Sequence, residues 1–207
     1  PTVAAALNDL ALLQQVRGKY PEAQALLERA LVITEAAWGA DGLDAATVRN
    51  NLGRVHHMRC NYGEAQPLLA RALAIRERWL APDDLDLATS LQYLGLLHMV
   101  RGDRPRARDL LERGLAIRER HMDPANPEIL NIRDSLGTVY FRLGDYEKAQ
   151  AIHEQTLAAQ RLKFGPRHAF VAHSLRSLAL VHHALGKYED ALAGATEALA
   201  LGEAALG

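Results

Sequence analysis

A repeat of 42 residues runs through the whole chain. In every period a leucine is followed by glycine or alanine, and an alanine lies thirteen positions after the leucine. The leucines are Leu10, Leu52, Leu94, Leu136 and Leu178, and the alanines are Ala23, Ala65, Ala107, Ala149 and Ala191. Five such periods account for nearly all of the 207 residues. The chain is therefore expected to fold as a stack of similar units, each packed on its neighbours, and not around one central core.

Each period holds the pattern of two helices. In the first half, apolar residues recur three and four positions apart, as at Leu7, Leu10 and Ala11, which is the spacing of one helical face. Gly18 ends this helix, and Pro21 suits the first turn of a second helix that continues to Trp38. Aromatic residues make up only 5% of the chain, so we predict an all-α fold with an aliphatic core.

Several positions depart from the repeat. Cys60 replaces the turn glycine, and Asn61 is then expected to take the positive φ that glycine takes in the other turns. Arg49 and Arg133 occupy columns that are apolar in other periods. The last helix contains Gly194, which costs about 1 kcal/mol relative to alanine inside a helix, so this helix is predicted to be the weakest.

The columns resemble the tetratricopeptide repeat, and in particular its long 42-residue form, found in kinesin light chains and in many bacterial arrays. The resemblance depends on pairs such as Leu52-Gly53 and Leu136-Gly137, on Gly-x-Tyr turns such as the one at Gly144, and on the segment GDYEKAQ. It implies a right-handed α-solenoid of five stacked antiparallel helix pairs in a single array. The expected repeats are 1–40, 41–82, 83–124, 125–166 and 167–207, and we expect the chain to be a fragment of a longer protein.

The resemblance also implies that the first helix of each pair lines a concave face that binds protein ligands. Several positions on that face carry amides, which offer both a donor and an acceptor to the backbone of an extended peptide. The candidate peptide-binding residues are Asn8, Asn50, Asn51, Arg54, Gln92, Tyr93, Met99, Asp134, Phe141 and Arg176. An alternative stays open for Asn8, Asn50 and Gln92, namely that they hydrogen-bond between successive helices and hold the stack together.

One subclass of this family grips a C-terminal carboxylate with Lys, Asn and Arg from three successive first helices. Only Asn51 matches that set here, and Tyr93 or Ser135 lies where the arginine is required. Binding of chaperone tails is therefore not expected.

Charge and motifs argue against several other functions. The net charge is −1, so general binding to nucleic acid is not expected. The nine histidines show no metal-ligand spacing, and Cys60 lies at a helix end, where the helix dipole disfavours a thiolate. We therefore predict no metal, no cofactor, no catalytic residue and no enzyme. No apolar run approaches the roughly 20 residues of a membrane span, so we expect no membrane partner and a cytoplasmic location.

Three functions are compatible with these features. The first is a non-catalytic scaffold that binds a peptide or partner segment on the concave face. The second, suggested by the resemblance, is a sensor or regulatory segment of a bacterial multidomain signalling ATPase or protease-like effector. The third is a self-associating structural module, because uncapped ends of such an array expose apolar stripes and allow a homo-oligomer.

Overall fold

The computed structural model describes residues 2–206, with side chains described for 2–204. Pro1, which begins the predicted first repeat, and Gly207, which ends the last, lie outside the described residues. Ten α-helices and no strand occur in this part of the chain. The helices are α1 (Thr2–Val16), α2 (Tyr20–Trp38), α3 (Leu43–Met58), α4 (Tyr62–Trp79), α5 (Leu85–Arg101), α6 (Arg104–His121), α7 (Pro127–Leu143), α8 (Tyr146–Phe164), α9 (Ala169–Ala184) and α10 (Tyr188–Leu206).

The contacts between helices divide the chain into two compact units, one through Asp103 and one from Arg104. In the first unit, α1 pairs with α2 and α3 pairs with α4, while α3 also packs on α2 and α5 packs on α4. In the second unit, α7 pairs with α8 and α9 pairs with α10, while α6 packs on α7 and α8 packs on α9. Each unit thus consists of two helical hairpins and one further helix, α5 or α6, packed on its neighbour in the chain.

Each unit has its own aliphatic core. In the first unit, Ala11, Leu27 and Val55 belong to one buried cluster. In the second unit, Leu157 and Val171 belong to another. The cores agree with the prediction that aliphatic side chains dominate the interior.

The small residues of the repeat lie where two helices approach closely. Ala23, Ala65, Ala107 and Ala149 are fully buried. A Cβ atom on Gly53 would lie 2.7 Å from Cγ of Leu69, and one on Gly137 would lie 2.6 Å from Nε2 of His153. At these two glycines, side chains from the second helix of the hairpin therefore fill the space that a larger residue would need.

Cys60, and not Asn61, takes the left-handed conformation at the turn between α3 and α4. The φ angle is 60° at Cys60 and −84° at Asn61, so the prediction for Asn61 is wrong. The same column is glycine at the other hairpin turns, for example at Gly102 with φ 84°. The register of the two flanking helices decides which position takes the positive φ, and a change of side chain does not move it.

The arginines in apolar columns are accommodated by glutamates fourteen residues earlier. Arg49 is 8% exposed, and its guanidinium donates to Oε1 of Glu35 and to the carbonyl oxygen of Ala40, both at 2.5 Å. Arg133 donates to Oε1 of Glu119 at 2.6 Å. Each arginine thereby links its own helix to the helix that precedes it in the chain. Within residues 2–206, no helix combines the length and the hydropathy that a membrane span requires.

Candidate functional site

Polar side chains on α1, α3 and α5 form a line of hydrogen-bonded contacts in the first unit. Nδ2 of Asn51 donates to Oδ1 of Asn8 over 2.8 Å. Further along α3, Arg54 donates to Oε1 of Gln15 at 2.8 Å and to the hydroxyl of Tyr93 at 2.9 Å. The Arg54 guanidinium also lies 5.4 Å from the centre of the Tyr93 ring, within cation–π range. All five residues are half-buried, and we call them the polar row.

The other candidates of the first unit lie deeper. Asn50 is only 2% exposed, and the hydroxyl of Ser90 donates to its Oδ1 at 3.3 Å, so this amide joins α3 to α5. Gln92 is 7% exposed, and Met99 is half-buried. A ligand that approaches the first helices therefore meets the polar row before it meets Asn50 or Gln92.

The remaining three candidates lie in the second unit. Phe141 is half-buried and packs on Tyr146 with ring centroids 5.5 Å apart. Arg176 is exposed on α9. Asp134 is half-buried on α7, and its Oδ1 lies 3.5 Å from Nδ1 of His173. Asp134 thus meets the next hairpin through His173, a contact that the sequence analysis did not anticipate.

A notch between successive hairpins is a second feature that the sequence analysis missed. It is bounded by the first helices of two neighbouring hairpins and by the second helix between them. One such notch, of about 370 Å³, lies between α1, α2 and α3. Another, of about 390 Å³, lies between α7, α8 and α9, and we call it the α7–α9 notch. Its lining includes Asn131, Asp134, Gln160, Phe164, Phe170 and His173.

Between α3, α4 and α5 an arginine occupies the equivalent position. Arg76 is 2% exposed, and its guanidinium donates to the carbonyl oxygen of Asp86 at 2.7 Å, to Oγ of Ser90 at 2.9 Å and to Oγ1 of Thr47 at 3.1 Å. The residues in this column of the repeat are Thr34, Arg76, Arg118, Gln160 and Gly202. The two notches described above therefore occur where the column lacks arginine.

Buried polar atoms at the α7–α9 notch and beside it are incompletely hydrogen-bonded within the described part of the chain. Oδ1 of Asp134 and Oε1 of Gln160 are buried without a hydrogen bond among the described residues, and so is the hydroxyl of Ser174 on α9. Nδ1 of His153 lies 3.8 Å from Asp134, and Nδ1 of His173 lies at 3.5 Å. Both separations exceed a good hydrogen bond.

The pKa values of the two histidines shift in opposite directions. Interaction with the Asp134 carboxylate raises the pKa of His173. Burial lowers the pKa of His153, although Asp134 opposes the change. Near neutral pH His153 is therefore uncharged. Within the described residues, no group of three or more His, Cys, Asp or Glu side chains has the arrangement of a metal site.

Comparison with known proteins gives consistent matches. The sequence model of the tetratricopeptide repeat matches residues 2–78, 44–120 and 128–204. None of the curated proteins matches the chain.

Solved structures match along almost the whole chain. BtubC (BKLC) from P. vanneervenii is 21% identical, with 99% of this chain and 83% of that chain covered and a TM-score of 0.85. Nearly identical TPR-like repeats assigned to a kinesin light chain of Podosopora anserina are 23% identical, with 95% and 93% covered and a TM-score of 0.81. MamA from MSR-1 is 24% identical, with 98% of each chain covered and a TM-score of 0.68. These matches and the helices confirm the predicted fold class.

Proposed function

The chain belongs to the tetratricopeptide repeat family, and we propose that it is a non-catalytic scaffold that binds an extended segment of a protein partner along its first helices. Members of this family are in general scaffolds for protein interaction and not enzymes. We further propose that the chain is one array with the repeats 1–40, 41–82, 83–124, 125–166 and 167–207, because the 42-residue period continues without interruption.

The polar row is the observation that supports this function most directly. The bond between Asn51 and Asn8 engages one hydrogen of one amide and one oxygen of the other. An amide has two donor hydrogens and an acceptor oxygen, so this pair keeps both a donor and an acceptor for a peptide backbone. Because the two side chains are already held in place by each other, they lose little conformational freedom when a ligand binds.

The polar row is tested with peptides selected from a random displayed library on the whole protein. The affinity of a selected peptide is measured by fluorescence anisotropy for the parent protein and for Asn51→Ala. We expect Asn51→Ala to weaken binding by about tenfold, the effect of losing one or two well-placed hydrogen bonds.

Asn61→Ala is the matched control, since Asn61 is exposed and its side chain makes no capping bond on α4. Circular dichroism of each variant establishes that it is folded. Equal affinity of the parent, Asn51→Ala and Asn61→Ala would place the peptide site outside the polar row.

Self-association is a second candidate function, favoured by the exposed leucines of α10. Leu192 is 71% exposed and Leu199 is 63% exposed, and none of the described side chains of α10 is buried. Association of two such faces would bury apolar area. Sedimentation velocity over a range of protein concentrations tests this candidate. The regulatory role in a larger signalling protein, the bacterial origin and the cytoplasmic location stay predictions of the sequence.

A further inference from the structure

We propose that the α7–α9 notch binds the guanidinium of an arginine side chain presented by a partner protein, in the position that Arg76 occupies within the chain between α3, α4 and α5. The nature of the partner rests on the proposed function, but binding of the guanidinium itself does not. The two positions are equivalent in the repeat and lie two periods apart.

The α7–α9 notch lacks the internal arginine that Arg76 provides two periods earlier. Position 160 follows position 76 by two periods and carries Gln instead of Arg. Gln160 is 6% exposed, and its Oε1 lies buried at the notch without a hydrogen bond among the described residues. A buried amide oxygen without a donor is costly, so this position favours a ligand that brings hydrogen-bond donors.

A hydroxyl that accepts a hydrogen bond from Arg76 has a counterpart in the second unit. Ser90, which accepts a hydrogen bond from Arg76, corresponds to Ser174 two periods later. Ser174 is 0% exposed, and in the part of the chain that is described its hydroxyl has no partner. The hydroxyl that accepts from arginine in the first unit is thus present in the second unit, while the internal donor is absent.

The α7–α9 notch also carries a negative charge that the position filled by Arg76 lacks. Asp134 occupies the column of Asn50, so the second unit has a carboxylate where the arginine-filled position has a neutral amide. Oδ1 of Asp134 is buried, and the donors nearest to it are Nδ1 of His173 at 3.5 Å and Nδ1 of His153 at 3.8 Å, so it has room for a closer donor. Guanidinium groups bind carboxylates through paired N–H donors, and they are less strongly hydrated than ammonium groups. The site therefore favours arginine over lysine.

The α7–α9 notch has an aromatic wall. Phe164 and Phe170 line the notch, with ring centroids 5.4 Å apart and planes at 72°. His168 already stacks on Phe164 with ring centroids 4.8 Å apart, so Phe170, which is 51% exposed, is the ring on which a planar guanidinium would stack. The volume of about 390 Å³ lies in the range of pockets that hold small ligands.

The probe for this site is N-acetyl-arginine methylamide, followed by NMR through the imidazole resonances of His173. N-acetyl-citrulline methylamide has nearly the same shape without the charge, and N-acetyl-lysine methylamide has the charge without the planar fork. We expect saturable shifts with the arginine probe and binding at least about tenfold weaker with the other two probes. The absence of a saturable shift, or equal binding of the citrulline probe or the lysine probe, would overturn the proposal.

Two variants of the full chain sharpen the test. Gln160→Arg supplies the guanidinium from α8, so we expect it to abolish probe binding and to raise Tm relative to Ala158→Arg, a matched change at an exposed neighbouring position. Asp134→Asn places in α7 the residue found at Asn8 and Asn50, and we expect it to weaken the arginine probe by about tenfold. Undiminished probe binding in Gln160→Arg, or a Tm below that of Ala158→Arg, would refute the equivalence with Arg76.

These outcomes are independent of the peptide-library experiment. The probe is a single amino-acid derivative and its site lies in the second unit, whereas the selected peptides are tested on the polar row of the first unit. A protein that binds peptides at the polar row without binding the arginine probe would retain the proposed function and lose this inference.

Discussion

At the scale of single residues, Cys60 shows how a repeat imposes a backbone conformation on a side chain that does not favour it. Its φ of 60° lies in a region that costs about 1–2 kcal/mol for residues other than glycine. We expect Cys60→Gly to raise the free energy of unfolding by about 1 kcal/mol, measured by urea denaturation. In the matched opposite change, Gly102→Ala should lower it by a similar amount. An unchanged stability in both variants would contradict the assignment of strain to this turn position.

We expect Asp134 to make the stability depend on pH, because two histidines approach it: His153 from α8 and His173 from α9. Arg176, also on α9, acts on His173 in the opposite direction and lowers its pKa. The net change at His173 is a rise above the ordinary value of 6.5. A raised pKa stabilises the folded state below pH 6.5, and this contribution is lost as the pH rises through the folded-state pKa.

Replacement of Asp134 by asparagine is therefore expected to be more destabilising at pH 5.5 than at pH 8. The reason is that asparagine removes the partner that favours protonation of His173 and that opposes the lowered pKa of His153. Urea denaturation at both pH values measures the difference. An equal loss of stability at the two pH values would show that Asp134 is not coupled to the histidines.

At the scale of elements, the prediction that α10 is the weakest helix agrees with its exposure. None of its described side chains is buried, and Gly194 lies within it. A Cβ atom at Gly194 would lie 3.6 Å from Cβ of Ala179 and 3.6 Å from the carbonyl oxygen of Leu175, which is ordinary van der Waals contact. Gly194→Ala should therefore stabilise α10 by about 1 kcal/mol, seen as slower amide hydrogen exchange in that helix.

The contrasting change is Gly53→Ala in α3. There a Cβ atom would lie 2.7 Å from Cγ of Leu69, so alanine must displace a fully buried leucine and lower the overall stability. Faster exchange in α10 of Gly194→Ala would contradict the space that the structure shows at that position.

Helix positions were predictable from the sequence, while the notch was not. Gly18 and Pro21 predicted the turn between the first two helices, and α2 does continue to Trp38. Local spacing sufficed there because each helix boundary depends on residues near it. The α7–α9 notch depends on three helices that meet and on an arginine that is absent at Gln160, so no short motif marks it. A comparison of the second helices at the column of Arg76 and Gln160 would have shown that arginine is replaced by glutamine there.

The sequence predicted which positions of the first helices carry amides, but it did not predict how deeply each amide is buried. The spacing of 42 aligns Asn8 with Asn50, whereas the structure joins Asn8 to the next residue, Asn51, through a hydrogen bond between their amides. The same spacing did not distinguish Asn51 from Asn50, although Asn50 is 2% exposed and Asn51 is half-buried. Adjacent positions on a helix face different directions, so their burial depends on the rotation of the helix relative to its neighbours, which the repeat pattern does not give.

At the scale of the whole molecule, net charge and apolar exposure act together on association. The chain has a net charge of −1 at pH 7 and a pI of about 6.9, so long-range repulsion between copies is weakest near neutral pH. If the exposed leucines of α10 drive self-association, the weight-average mass from light scattering should be greatest near pH 7 and should fall toward pH 8.5. Added salt should reduce this pH dependence, because it screens the charges.

The contribution of α10 is separated from that of net charge by a matched pair of variants. Leu192→Glu and Leu162→Glu each add one negative charge, at side chains that are 71% and 87% exposed, but Leu192 lies on α10 and Leu162 lies on α8. We expect Leu192→Glu to lower the association constant by about tenfold or more, because it places a charge in the apolar contact, and Leu162→Glu to change it only slightly. Equal effects of the two variants would mean that charge, and not the α10 face, governs association, because a general repulsion does not depend on which helix carries the added carboxylate.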